Sequence, residues 1–268
     1  MDKQILCIKW GSMYGPEYVN CLYGMIARNI TPPFKLYCFT DDTGGIRSEV
    51  ECLPLPELGC EIPEQAPGKW PKQALWGHEL FGLEGVALFI DLDSVIVSSI
   101  DDYFSFGQPD DVITARNWVK PWLRMSQTSV FRFTIGQHGY MLDNLRQNPQ
   151  LALHYRYEQN YVSSCIKGGV KFWPGSWTRH FGLHCMGPWP LRYVRTPVLP
   201  KKAKIITFPG NPKAPDAIVG RWCKGAQMLS PAEHLRWVMQ KRIQGEPWQK
   251  PLRQYLKPTA WVAEYWQP

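Results

Sequence analysis

No stretch of the 268-residue sequence approaches the roughly 18 consecutive apolar residues that cross a bilayer, which excludes a helical membrane span. The opening, MDKQILCIKWG, lacks the longer apolar stretch and small-residue cleavage site of a secretory signal, so a cytoplasmic protein is expected. CxxC spacing is missing among the eight cysteines and no ligand cluster surrounds them, which speaks against a zinc site. Cys7, Cys21, Cys38 and Cys52 fall mostly in expected helices and strands, where a reduced cysteine acts as a small hydrophobe. Neither an internal repeat nor a clear linker is present. One domain with a C-terminal extension is therefore expected, the division falling after residue 215 and residues 216–268 packing on the main body.

What the chain has is core-forming material and an uneven charge. Hydrophobic residues make up 44% of it, enough to bury a substantial core and to exclude disorder over most of its length. The net charge is +7, but residues 201–268 hold 12 Lys/Arg against 4 Asp/Glu, whereas residues 1–200 hold 18 against 19. A basic C-terminal segment suits phosphate-bearing ligands, an anionic membrane surface or nucleic acid, and it also suits a plain solvated surface.

Periodicity supplies the elements. QILCIKW (4–10) reads as a strand, and Pro16 sits well as the first residue of a helix. In that helix Val19, Leu22, Tyr23 and Ile26 share one face. FKLYCF (34–39) is a second strand, closed by TDDTGG, and the resulting βαβ unit points to a parallel sheet. The Pro- and Gly-rich residues 53–71 read as a surface loop, 71–82 as a short helix, and VALFI (86–90) as a buried strand. VITAR (112–116) and SVFRF (129–133) are further strands, followed by helical HGYMLDNLRQN and PQLALHYRYEQNYVSSCI. After residue 168 the pattern becomes irregular until AKIITF (203–208), a late strand. Ser230, Pro231 and Glu233 then begin a helix through about Ile243 with a capping box.

The strand VALFI runs straight into Asp91-Leu92-Asp93. In open parallel sheets ligands bind beyond the carboxyl ends of the strands, where these two carboxylates sit. Carboxylates at i and i+2 can approach one hard cation shared with a substrate phosphate, or simply mark a turn. DLDSV also fits the DxDxV pattern of haloacid-dehalogenase-like phosphatases, with Asp91 as nucleophile and Asp93 as general acid. That family usually carries its motif on the first strand and a late GDxxxD; here two strands and a helix precede it, and no GDxxxD is present.

The N-terminal βαβ unit, FTDD closing the second strand, and WPKQALW before LFIDLDSVIV together resemble the GT-A nucleotide-sugar glycosyltransferases, most nearly glycosyltransferase family 8 and its bacterial relatives. The resemblance covers roughly residues 4–215. It implies an α/β GT-A fold, a mostly parallel Rossmann-like sheet flanked by helices. It implies Mn²⁺ or Mg²⁺ held by Asp91 and Asp93, with Asp91 and Leu92 also near the nucleotide. Lys72, on the element before the motif, is expected to face the nucleotide. Trp10, Gly11 and Tyr14 after the first strand, and Thr40, Asp41 and Asp42 after the second, are expected to border its pocket. EQNY (158–161) resembles the family's Asp-Gln motif, with Glu158 for the Asp and Gln159 near the anomeric carbon. ITFPGNPKAP resembles the late segment I-H-F-x-G-x-x-K-P: Gly210 lets the backbone approach a diphosphate and Lys213 supplies charge to it. The family's histidine, normally the third metal ligand, is Thr207 here. His180 and His184, four apart, are a substitute ligand pair or a packed one.

The resulting expectation is a metal-assisted, retaining transferase. It would take a nucleoside-diphosphate sugar, UDP rather than GDP, and hand the sugar to a glycan or lipid-linked acceptor. The basic, Trp-rich tail suits a peripheral membrane contact; no nucleic-acid motif is present. A catalytically silent domain that binds a sugar nucleotide or glycan is the second reading, favoured by Thr207.

Overall fold

The computed structural model describes residues 2–268. Its strands are β1 (Lys3–Lys9), β2 (Phe34–Thr40), β3 (Glu51–Leu53), β4 (Val86–Ile90), β5 (Ser94–Ile96), β6 (Ile113–Arg116), β7 (Ser126–Thr134), β8 (Lys171–Phe172), β9 (Thr178–His180) and β10 (Ile205–Thr207). Seven form one sheet in the order β3-β2-β1-β4-β7-β6-β8, and β5-β10-β9 form a second. In the large sheet only β7 runs against the others. In the small sheet β10 is antiparallel to β5 and parallel to β9.

The unbroken apolar strands follow from burial on both faces. Along β1, Ile5 and Cys7 join the cluster under the helix Pro16–Arg28, whose Val19, Leu22 and Ile26 are buried there. The intervening Leu6 faces the opposite layer with Phe39, Phe89 and Phe131. β4 alternates in the same way, Leu88 and Ile90 to one side, Ala87 and Phe89 to the other. Trp76 anchors the second layer, stacked 5.2 Å from Phe131 and tilted 4.9 Å from Phe133. Trp76→Ala is expected to cost about 3–5 kcal/mol, checked by denaturant unfolding.

The expected helix over 71–82 is instead a 3₁₀ helix, Trp70–Trp76. It stops at Gly77, and Phe81 and Gly82 take positive φ (51° and 73°), which an α-helix does not accommodate. The expected helical run from Pro149 divides into a 3₁₀ turn, Pro149–His154, and the helix Glu158–Cys165. Ser230 and Glu233 close their capping box, each side chain meeting the other's backbone N–H, at 3.4 and 2.7 Å. The chain's end lies against the first helix: Val262 is buried, Trp266 packs edge-on to Tyr18, and Arg28 donates to the Tyr265 and Gln267 carbonyls at 3.0 and 2.7 Å.

Candidate active site

The segment Asp91–Asp93 is where the chain leaves one sheet for the other. The Asp91 N–H donates to the Ser129 carbonyl (2.8 Å), extending the β4–β7 ladder by one residue. Two residues on, the Asp93 carbonyl accepts from Phe208 N–H (2.8 Å), so Asp93 already belongs to the small sheet. Leu92 between them is 2% exposed and pins the crossing into the core. The two carboxylates are thus aimed by two different sheets into one cleft of about 950 Å³.

Each carboxylate is met by its own lysine. Lys72 Nζ lies 2.8 Å from Asp91 Oδ1 and 2.6 Å from the Thr128 carbonyl, with the ammonium 4.1 Å from the Phe89 ring centroid. Lys213 Nζ lies 2.6 Å from Asp93 Oδ2, 2.8 Å from the Tyr14 hydroxyl and 3.2 Å from the Phe208 carbonyl. Tyr14 in turn donates to the same Asp93 oxygen (2.9 Å). Burial pushes the Asp91 carboxyl above its ordinary value; Lys72 opposes this and Asp93 adds to it. Burial, then the Asp93 charge, push the Tyr14 phenol well above its ordinary range, so it acts as a hydrogen-bond donor.

Around this pair of ion pairs stand Trp10 and Tyr14 from the end of β1, Glu158 and Gln159 from the start of their helix, and Gly210 from the β10 loop. Gly210 has φ +76° with open space around it, so its backbone conformation, not crowding, calls for glycine. Glu158 Oε2 accepts from Lys69 N–H (3.1 Å), tying the helix to the loop across the cleft. Gly11, Thr40, Asp41 and Asp42 do not line the cleft. Asp41 accepts from Gly11 N–H (2.9 Å), Thr40 Oγ1 bonds to the Asp42 carbonyl (2.9 Å), and Lys9 Nζ donates to that same carbonyl (3.1 Å). These residues splice the β1 and β2 loops together beside the cleft.

The chain has the GT-A fold. Solved glycosyltransferases share its architecture. GlyE of Streptococcus pneumoniae superposes with a TM-score of 0.57 over 96% of this chain and 66% of its own, at 11% identity. The galactosyltransferase LgtC, solved with donor and acceptor sugar analogues, gives 0.56 over 79% and 88%, at 10% identity. The bifunctional glycosyltransferase WbbM gives 0.55 over 80% of this chain at 13% identity; the chain spans 46% of that protein's length. The sequence itself matches no family model and no curated protein.

Metal ligation is common at the GT-A aspartates, and here each aspartate gives one oxygen to a lysine. Among the described residues no three His, Cys, Asp or Glu side chains converge. Asp93 Oδ2 is taken by Lys213 and Tyr14, and Asp91 Oδ1 by Lys72. Thr207 is fully buried in β10, its hydroxyl turned to the Arg179 carbonyl at 3.3 Å. His184 Nδ1 accepts from the His180 backbone N–H at 3.0 Å and Trp118 packs edge-on to both rings, while the His180 ring Nδ1 is buried without a partner. A divalent cation would compete with two ammonium groups for the same two carboxylates.

Three cations of the cleft were not singled out from sequence: Lys69, Arg221 and Lys224. Arg221 is paired with Asp216, whereas Lys69 and Lys224 have no carboxylate partner among the described residues. The one available signal was the basic excess after residue 200, which holds Arg221 and Lys224 but does not say which bases turn inward.

Proposed function

We propose that the protein is a glycosyltransferase that takes its sugar from a nucleoside-diphosphate donor, with lysines as counter-charge to the diphosphate. The observation that carries this reading is the paired arrangement Lys72–Asp91 and Lys213–Asp93 on the floor of a GT-A cleft. Each aspartate fixes an ammonium in a preorganised position, which is how an enzyme stabilises charge that develops on a leaving group. Trp10, with Lys69 Nζ 5.8 Å from its ring centroid, offers a face for the base at the other end of the cleft.

The acceptor hydroxyl would bond to the anomeric carbon while the bond from that carbon to the diphosphate breaks with its electron pair. Among the cleft carboxylates Asp91, Asp93 and Asp216 are ion-paired, Glu158 accepts the Lys69 N–H, and Glu17 makes no ion pair among the described residues. Glu17 folds over Gly15, where a Cβ would lie 2.1 Å from its carboxylate oxygen. We take the departing phosphate as the base, which accords with retention of configuration. Gln159 is the polar group nearest in role to the active-site glutamine that was changed to glutamate in an LgtC variant. Leu235, Met239 and Ile243 are exposed on the basic helix Pro231–Ile243 and support a seat at a membrane bearing a lipid-linked acceptor. No helix among the described residues is long and apolar enough to cross one.

Calorimetry with UDP and with GDP tests the reading. Binding of one of them, with release of its sugar from the matching donor, is expected. Binding of neither would overturn it.

A further inference from the structure

Beside the cleft lies a second cavity of about 230 Å³, at the carboxyl end of β6 and the turn that follows it. That volume is below the ~300–1,000 Å³ of pockets that enclose whole ligands, so it suits one group of a larger molecule. Its walls include Trp118 and Trp173, the arginines Arg116 and Arg179, and His184, and they contain no carboxylate. Arg179 makes no ion pair or side-chain hydrogen bond among the described residues, and its Nε is buried without a partner. Arg116 reaches only the Pro121 carbonyl (3.2 Å) and the face of Phe172 (4.6 Å from guanidinium to ring centroid). Arg116 is exposed, whereas Arg179 is half-buried at the cavity wall with an unpartnered Nε donor that an incoming anion would satisfy. Burial and the neighbouring Arg179 charge hold His184 below its ordinary value, so the positive charge is the arginines' own.

The cavity adjoins the cleft on the side away from the nucleotide end. In the large sheet the order runs β1, β4, β7, β6, which places Trp10 and Tyr14 at one end and Arg116 at the other. Ala115 in the cavity wall is the cross-strand partner of Gln127 in the cleft wall. Arg179 sits on β9 next to β10, whose following loop carries Gly210.

Resting on the transferase reading, we propose that this cavity is an anion subsite for the acceptor, and that the acceptor sugar carries a carboxylate or phosphate which Arg179 and Arg116 grip. Trp118 is held for this by its indole N–H on the Thr178 carbonyl (3.2 Å), which leaves a rigid wall beside the arginines.

Binding of glucuronate, glucose 6-phosphate and glucose, followed by ligand-observed NMR titration alongside UDP, tests this. At least one of the two anionic sugars is expected to bind about tenfold or more tightly than glucose, as for a gained charge-assisted hydrogen bond. Whichever binds tells carboxylate from phosphate. Arg179→Gln should remove that preference, and Arg116→Gln should reduce it, with UDP affinity kept as the measure of an intact fold. Glucose binding as tightly as both anions, neither anion binding, or Arg179→Gln keeping the preference with UDP still bound would each overturn the subsite. Failure of UDP to bind the unaltered chain would instead overturn the nucleotide reading, and with it the assignment to an acceptor, while the anion preference would still be read directly.

Discussion

Lys213→Ala is expected to lower glycosyl transfer by about 10²–10³-fold, most of it in kcat, the loss typical of removing one donor aimed at a developing negative charge. Three contacts fix the Lys213 ammonium, to Asp93, Tyr14 and the Phe208 carbonyl, so it needs no reorganisation when a diphosphate departs. The same substitution exposes an oxygen of Asp93 that the lysine had filled. Added Mn²⁺ is therefore expected to restore part of the variant's turnover, while the unaltered enzyme responds neither to Mn²⁺ nor to EDTA. Steady-state rates with the natural nucleotide sugar, in chelator and in metal, make the measurement. Loss of the unaltered enzyme's activity in EDTA would defeat the idea that lysines do the work of the cation.

The parts of this arrangement that depend on near neighbours were legible in the sequence. The βαβ unit through Thr40 and the capping box at Ser230 rest on local periodicity and short spacings, and both stand in the structure. β5 was not legible. In VALFIDLDSVIV it reads as a continuation of β4, because nothing local says that Ser94–Ile96 pairs with residues 205–207, more than a hundred positions away. The short helix after Pro71 failed for a similar reason: its apolar residues Leu75 and Trp76 satisfy a tertiary contact with Phe131 and Phe133, not a full helical face. At the site, Lys72, Asp91, Asp93 and Lys213 were each named, but the closure of each lysine on one aspartate is set by how β7 and β10 flank the crossing. Thr40, Asp41 and Asp42 stand at the right end of β2, yet their polar groups are spent on holding the loop. A sequence shows that polar residues end a strand and does not show whom they bond.

Lys72→Met alone is expected to destabilise the fold by about 2 kcal/mol at neutral pH, whereas Lys72→Met combined with Asp91→Asn is expected to be near neutral. Breaking a fully buried pair typically costs about 3–5 kcal/mol, and the smaller figure allows for Asp91 keeping a third of its side chain exposed, as 33%. The pH dependence has a definite sign. Burial already raises the Asp91 carboxyl above its ordinary 3.8, and Lys72, the leading influence against that rise, is gone in the single variant. The folded variant then holds the proton to higher pH than the unfolded chain does, so its stability is fullest below 3.8 and falls as pH climbs through the raised value. Relative to the unaltered protein, its deficit should be largest at neutral pH, shrink as the medium is acidified, and be absent from the double variant. Urea unfolding of the three proteins across mildly acidic to neutral pH measures this. A deficit that grew on acidification, or a double variant no more stable than the single one, would mean that Lys72 does not neutralise a buried charge at Asp91. The double variant should bind nucleotide diphosphate more weakly than the unaltered protein, because the stability it recovers comes from discarding charges that the cleft uses.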